Sequence, residues 1–354
     1  MNRRRFLGTA GLILPTRAAA DDYPRAMPAR ALEFPRDFGS HPDFRNEWWY
    51  ITGWVRDSRA APYGVQITFF RNRPRVAEAS ASRFAPRQLL FAHAAFAEPK
   101  LGRLRHAERA ARAGFGLAEA SETSTDVHIG DWSLTLAGRE YLARVVARDF
   151  RFELRFAQTQ PVLLQGDAGF SRKGKSAANA SYYYSEPQLQ VTGSIGIGSA
   201  ESSVTGTAWL DHEWSSEPLA PEAAGWDWTG LNFDDGGALM AFRMRDRSGS
   251  PLWAGGALRA ADGRVRKIEA DEVSFQASRR WRSPHTRIEY PVAMEVRAAT
   301  ASYALEPLMD DQELDARAST GTIYWEGAVR ALSGGREVGR GYLELTGYGK
   351  PLTL

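Results

Sequence analysis

Phe150-Arg151-Phe152-Glu153-Leu154-Arg155-Phe156 alternates an apolar and a charged side chain at every step. A period of two belongs to a strand with one dry face and one wet face. Working outward, residues 48–55, 64–70 and 89–96 upstream are short runs rich in aromatic and β-branched residues. Such residues suit a pleated, half-buried surface. The same style returns downstream at 182–184, 189–197, 204–209, 226–233, 238–245, 320–329 and 340–347. Turn clusters separate the runs, among them Gly166-Asp167-Ala168-Gly169 and the hairpin pattern Asp234-Asp235-Gly236-Gly237. Residues 104–113 have helical composition without apolar periodicity and read as a surface helix or a loop. Many short strands with regular turns predict an all-β, antiparallel barrel or sandwich, and closed barrels leave no strand edge exposed.

A chain of 354 residues exceeds one ordinary core, so two domains are expected. The small, polar stretch 198–203 is the candidate boundary, giving an N-terminal domain at 41–200 and a C-terminal domain at 201–354. A Pro- and Arg-rich lead-in at 21–40 precedes them. Residues 1–20 read as a twin-arginine signal: Arg3-Arg4-Arg5-Phe6-Leu7, an apolar run to Leu14, and a small-residue cleavage site at Ala18-Ala19-Ala20. The expected location is therefore periplasmic or secreted, with no transmembrane segment in the mature chain. Removing Arg3, Arg4, Arg5 and Arg17 from the formal charge of +3 leaves about −1, which gives no electrostatic case for nucleic acid. The chain has no cysteine, which excludes disulfides, thiolate metal sites and cysteine nucleophiles.

The densest chemical pattern is Trp209-Leu210-Asp211-His212-Glu213-Trp214. On a strand, Trp209, Asp211 and Glu213 share one face, and Leu210, His212 and Trp214 the other. Two carboxyls beside large rings can have separated proton affinities, one raised by an apolar wall into a proton donor and one left charged. Acid-catalysed hydration or hydrolysis needs that arrangement. The alternative is a pair of ordinary ion pairs with arginines at a barrel rim. Asp211-His212-Glu213 cannot chelate one ion on a regular strand, and no H-x-H or H-E-x-x-H spacing exists, so no metal is expected, even with His41 and His93 elsewhere. Glu47 precedes Trp48-Trp49-Tyr50, which is costly unless the acid is paired or at a cavity mouth. One of Trp48 and Trp49 is expected to close a barrel end. Tyr182-Tyr183-Tyr184-Ser185 can place hydroxyls in a cavity. No G-x-S-x-G elbow and no Gly-rich nucleotide loop occurs, so no cofactor is expected.

Arg45-Asn46-Glu47-Trp48-Trp49-Tyr50, Tyr183-Tyr184-Ser185, the 208–214 block, Gly225-Trp226-Asp227-Trp228, the Tyr324-Trp325-Glu326 block and Gly341-Tyr342-Leu343-Glu344 occur in the order found in one family. Over roughly residues 40–350 the chain resembles the AttH-like, carotenoid hydratase-related family of predicted secreted hydrolases. The resemblance implies two lipocalin-like antiparallel barrels packed together, exported by a signal peptide. Relatives include cofactor-free hydratases that add water to an isoprenoid double bond, and fungal hydratases and pericyclases of bulky apolar substrates. An aspartate protonates the alkene in the hydratases, and Asp211 is the candidate here. Secreted bacterial members often accompany an ABC-type export system. The twin-arginine run departs from hydratases of membrane pigments and points to another substrate.

The expected protein is thus an enzyme acting on a lipophilic small molecule. Asp211 would be its general acid, and Glu213 or Glu47 would orient water. His212 or His93 would bond a carboxylate. Trp48, Trp49, Tyr50, Tyr183, Tyr184, Trp209, Trp226 and Trp228 would contact ligand, with ring faces such as Trp209 and Trp49 stabilising a cation. The rival is a non-catalytic carrier of a hydrophobic ligand, partnered with an ABC-type transporter.

Overall fold

The computed structural model describes residues 23–75, 80–217 and 219–352. The expected signal segment at 1–20 and its expected cleavage site lie outside them. Thirteen strands form the first sheet: β1 (Asn46–Asp57), β2 (Pro62–Asn72), β3 (Leu89–Glu98), β4 (Arg103–Arg112), β5 (Ala118–Ala120), β6 (Asp126–Ile129), β7 (Trp132–Ala137), β8 (Glu140–Val146), β9 (Phe150–Ala157), β10 (Leu163–Leu164), β11 (Phe170–Arg172), β12 (Ala180–Ile197) and β13 (Ala200–Ser215). Ten form the second: β14 (Ala223–Phe233), β15 (Ala238–Asp246), β16 (Pro251–Arg259), β17 (Val265–Ile268), β18 (Val273–Arg282), β19 (Glu289–Ala298), β20 (Ala301–Pro307), β21 (Glu313–Ala316), β22 (Thr322–Ser333) and β23 (Arg336–Leu345). The chain is two lipocalin-like antiparallel barrels packed together.

The two sheets share one topology. In the first, β1 lies between β2 and the last strand, β13; in the second, β14 lies between β15 and the last strand, β23. The first barrel approaches closure where Arg109 on β4 donates to the carbonyls of Ile129 and Val146, 3.4 and 3.2 Å away. The second is drawn together by Arg243 on β15, which donates to the Phe275 carbonyl of β18 at 2.8 Å. The strand at 150–156 keeps its alternation: Phe150, Phe152, Leu154 and Phe156 are buried in the first barrel's core.

Two sequence expectations change. Residues 103–112 are a strand, paired along its length with β3. Its composition favoured a helix, but pairing and packing override intrinsic propensity. The stretch 198–203 holds the two-residue turn of the β12–β13 hairpin at 198–199 and the first residues of β13, since Ile197 pairs with Ala200. The change of sheet falls after Ser215, the end of β13, and before Ala223, the start of β14. The lead-in has little regular structure beyond a 3-10 turn at Arg36–Phe38, yet Tyr23, Ala26 and Asp37 are buried, so it is anchored on the first barrel.

Between the barrels lies a separate core. Tyr50, Trp54, Tyr183 and Trp209 face Trp228, Met240, Phe242 and Tyr342 there. Contacts are close: a Cβ at Gly64 would come within 2.9 Å of Ala328 Cβ. Polar ties fix the pose, with Trp54 Nε1 donating to the Gly341 carbonyl at 2.9 Å and Asn232 Nδ2 to the Ala208 carbonyl at 3.0 Å. A register shift between Glu186 and Leu189 frees Gln188, whose amide donates to the carbonyls of Phe233 and Gly237.

Candidate active site

Alternation along β13 sorts the 208–214 block as its sequence implies. Leu210 and Trp214 belong to the first barrel's core. Trp209 belongs to the core between the barrels, and Asp211 and Glu213 line a cavity of about 330 Å³ there. The cavity therefore lies between the two sheets, not in the mouth of either barrel. Its walls come from both halves: Trp48, Tyr50 and Tyr183 from the first, Trp226, Trp228 and Phe242 from the second.

Asp211 is 3% exposed and has no ion-pair partner among the described residues. Its Oδ1 accepts from Ser185 Oγ at 2.5 Å and Trp209 Nε1 at 2.6 Å, and its Oδ2 from Tyr183 Oη at 2.6 Å. Trp228 Nε1 in turn donates to Tyr183 Oη at 3.0 Å. A carboxylate has about four lone-pair positions, so one on Oδ2 stays open. Burial pushes the Asp211 carboxyl up to about 7, against the three donors that favour its anion. It can therefore carry a proton near neutrality. Glu213 differs: Lys173 Nζ lies 2.9 Å from its Oε1, and Ser181 Oγ donates to the same oxygen. One acid without a cation and one with it are the unequal pair that acid catalysis uses.

The second barrel adds acids that sequence reading missed. Glu326 on β22 and Glu344 on β23 are register partners, and both line the cavity. Burial pushes Glu326 up to about 8 and Glu344 well above the ordinary range. At the far end, His93 Nδ1 meets Tyr324 Oη at 2.6 Å and its Nε2 meets Ser319 Oγ at 2.9 Å. Burial lowers His93 to about 3, so it is neutral. Ser319 Oγ also donates to Glu108 at 2.5 Å. The acid bonds the serine and not the imidazole, so this is no Ser-His-acid relay.

A raised carboxyl has a stability signature. Between the unfolded value of 4.5 and about 8, folded Glu326 keeps a proton that the unfolded chain releases. Its contribution is full below that window and is lost as pH rises through it. Glu326→Gln is thus expected to melt above the parent at pH 8.5, with the gap shrinking toward pH 4.5. A gap that stays constant across that range would show that Glu326 titrates alike in both states.

Three expected site residues turn away from the cavity. His212, Tyr184 and Trp49 point into the first barrel, because each falls on the inward phase of its strand. His212 Nδ1 meets Tyr184 Oη at 3.0 Å, its Nε2 meets Glu47 Oε1 at 2.9 Å, and Trp49 stacks on its ring. Burial lowers His212 to about 4, which leaves a neutral ring. Trp209 sits behind Asp211 as its hydrogen-bond donor and does not line the cavity.

Glu47 borders the cavity, but its oxygens are spent on Arg71 Nε at 2.7 Å, His41 Nδ1 at 2.7 Å and His212. Trp48, Tyr50, His93, Tyr183, Trp226 and Trp228 all line the cavity. His41, Glu47 and His212 bring potential metal ligands within 4.8 Å of one another. Each is already engaged, His41 Nε2 with Asp37 and Glu47 with Arg71, and a guanidinium beside the cluster disfavours a second cation.

The missed acids had a pattern. Tyr324-Trp325-Glu326 and Tyr342-Leu343-Glu344 repeat the spacing of Trp209-Leu210-Asp211, an aromatic two residues before an acid and on its face of the strand.

The chain matches the AttH-like family over residues 25–348. Among solved structures, an AttH protein of Nitrosomonas europaea is 51% identical with a TM-score of 0.86, over 92% of this chain and 99% of that one. Kievitone hydratase of Nectria haematococca shares the fold at 14% identity and a TM-score of 0.70, over 90% and 94% of the two chains. CghA, solved with Sch210972, shares it at 14% identity and a TM-score of 0.52, over 86% and 89%. No curated protein matches. No described helix is long and apolar enough to cross a membrane.

Proposed function

The chain belongs to the AttH-like family, and we propose that it is an exported enzyme that adds water to, or hydrolyses, a lipophilic small molecule by carboxylic acid catalysis. The carrying observation is Asp211: buried on the wall of an aromatic cavity, without a cation, and raised to about 7. In the hydration reading, the Asp211 proton passes to one alkene carbon and leaves a carbocation. The faces of Trp48, Trp226 and Trp228 stabilise that charge. Water attacks the cation, and its surplus proton passes to Glu213 or back to Asp211. The likeness to a kievitone hydratase supports hydration over hydrolysis. Export rests on the Arg3-Arg4-Arg5 run and the alanine site after it. Recovery of the native protein in the cytosolic fraction alone would overturn it.

The rival is a carrier working with an ABC-type transporter. Rings alone would serve a carrier of a neutral ligand, which has no use for a buried acid without a cation such as Asp211 on the cavity wall. The distinguishing assay incubates the protein with apolar alkenes and esters in deuterium oxide. Hydration leaves one deuterium on carbon and an added hydroxyl; hydrolysis leaves none on carbon. Binding with every compound recovered unchanged would establish the carrier and remove the enzyme.

A further inference from the structure

The chemistry proposed for Asp211 leaves the two acids of the second barrel unused. Glu326 and Glu344 face each other across β22 and β23 and look into the cavity. Burying a charge without a partner is costly, and two facing carboxylates repel. The cavity's own cations are already engaged, Lys173 by Glu213 and Arg71 by Glu47. Among the described residues, Asp211, Glu326 and Glu344 have no cationic side chain paired to them. A second observation is independent of charge. Tyr50 Oη and Glu326 Oε2 belong to residues only 6% and 4% exposed, both on the cavity wall; the two side chains lie close to each other, yet neither atom makes a hydrogen bond of regular geometry among the described residues. A buried polar atom without a well-formed bond calls for a partner, and a ligand in the cavity can supply one.

We infer that the cavity takes a lipophilic organic cation, an amine or quaternary ammonium on an apolar body, with its charged end between Glu326 and Glu344. The inference rests on the cavity being a ligand site, and it names the class of ligand. A desolvated cation is attracted both by carboxylates and by aromatic rings, and Tyr50, Trp226 and Tyr324 share the cavity wall with the pair, Trp226 Nε1 donating to Glu344 Oε1 at 3.1 Å. A bare metal ion fits worse. Within the described residues, the one gathering of metal-type ligand atoms inside 4.8 Å is His41, Glu47 and His212, away from this pair.

The other titratable groups on the cavity wall are Asp211, Glu213, Glu47, Lys173, Arg71, His93, Tyr50, Tyr183 and Tyr324, and Tyr342 lies beside Glu326. Burial raises all four tyrosines and keeps His93 neutral. Burial also keeps Glu326 protonated up to about 8. A bound ammonium at neutral pH therefore displaces a carboxyl proton to solvent.

The test is calorimetric titration of the protein with decylamine and with decan-1-ol, in two buffers of different ionisation enthalpy. The amine is expected to bind about tenfold or more tightly than the alcohol. It should release a proton, where the alcohol releases none. Glu344→Gln and Glu326→Gln should each weaken the amine and leave the alcohol unchanged; either variant suffices if the other fails to melt cooperatively. Equal affinity for the two probes, or an amine preference that survives both substitutions, overturns the cation site while leaving a neutral ligand cavity standing. Binding of neither probe by a cooperatively folded protein overturns both readings.

Discussion

Asp211→Asn is expected to lower turnover by about 10²–10⁴-fold, the range for loss of a positioned general acid, with ligand uptake retained. The substitution conserves shape. The amide oxygen can still accept from Ser185 Oγ and Trp209 Nε1, and the amide nitrogen can donate to Tyr183 Oη. No ion pair is broken, because Asp211 has none among the described residues. What is lost is the transferable proton on Oδ2. The pH profile follows with a definite sign. Burial holds the carboxyl at about 7, so the donor is protonated below that value, and the parent's rate should fall as pH rises through it. The variant's residual rate should lack that limb. Measured kcat and KM for one compound that turns over decide the matter. A variant with the parent's kcat and the parent's pH profile removes Asp211 from the reaction.

How much of this was legible in the sequence depends on which face of a strand carried the information. Phe150 to Phe156 showed its period openly, because β9 has one face in the core and one toward solvent. Strands β1 and β13 are buried on both faces, one against the first barrel's core and one against the second barrel. Such strands read as continuous runs of large residues, and hydrophobicity alone cannot tell inside from between. Alternation did sort Asp211 and Glu213 from His212. It could not say that the shared face met a second barrel, so Trp49 and Tyr184 were grouped with the ligand contacts although they lie in the first core. The Glu326–Glu344 pair depends on register between two distant strands, and a single sequence does not fix which residues become neighbours. The echo between Glu47-Trp48-Trp49-Tyr50 and Trp226-Asp227-Trp228 has a physical basis in the shared topology. Each central strand carries one inward acid bound to arginine on the next strand, Glu47 to Arg71 and Asp227 to Arg243 and Arg245.

Arg71→Met tests that shared device and should be the most destabilising of these changes, by about 3–5 kcal/mol, the usual cost of stranding one member of a buried ion pair. Arg71 is 2% exposed and donates to Glu47 Oε2 at 2.7 Å, Gln88 Oε1 at 2.8 Å, and the carbonyls of His41 and Phe44 at 2.9 and 2.8 Å. Methionine fills part of the space and satisfies none of those acceptors. Burial by itself would raise the Glu47 carboxyl, but Arg71 and His41 outweigh it and hold the group well below the ordinary carboxylate range. In the parent, Glu47 therefore adds stability that is present above its unfolded value and fades as pH falls through the acid range. Without Arg71 one opposing effect is lost while the bonds from His41 and His212 remain, so the Glu47 carboxyl should rise toward the ordinary range and the variant should lose less stability on acidification than the parent does. Chemical denaturation at pH 5 and pH 7.5 reads that difference directly. Adding Glu47→Gln to Arg71→Met should restore more than half of the loss, since the stranded charge is gone and the two sites are coupled. If the single and double variants were equally unstable at both pH values, the lost carbonyl contacts would account for the damage and the buried pair would not be what holds this end of the barrel.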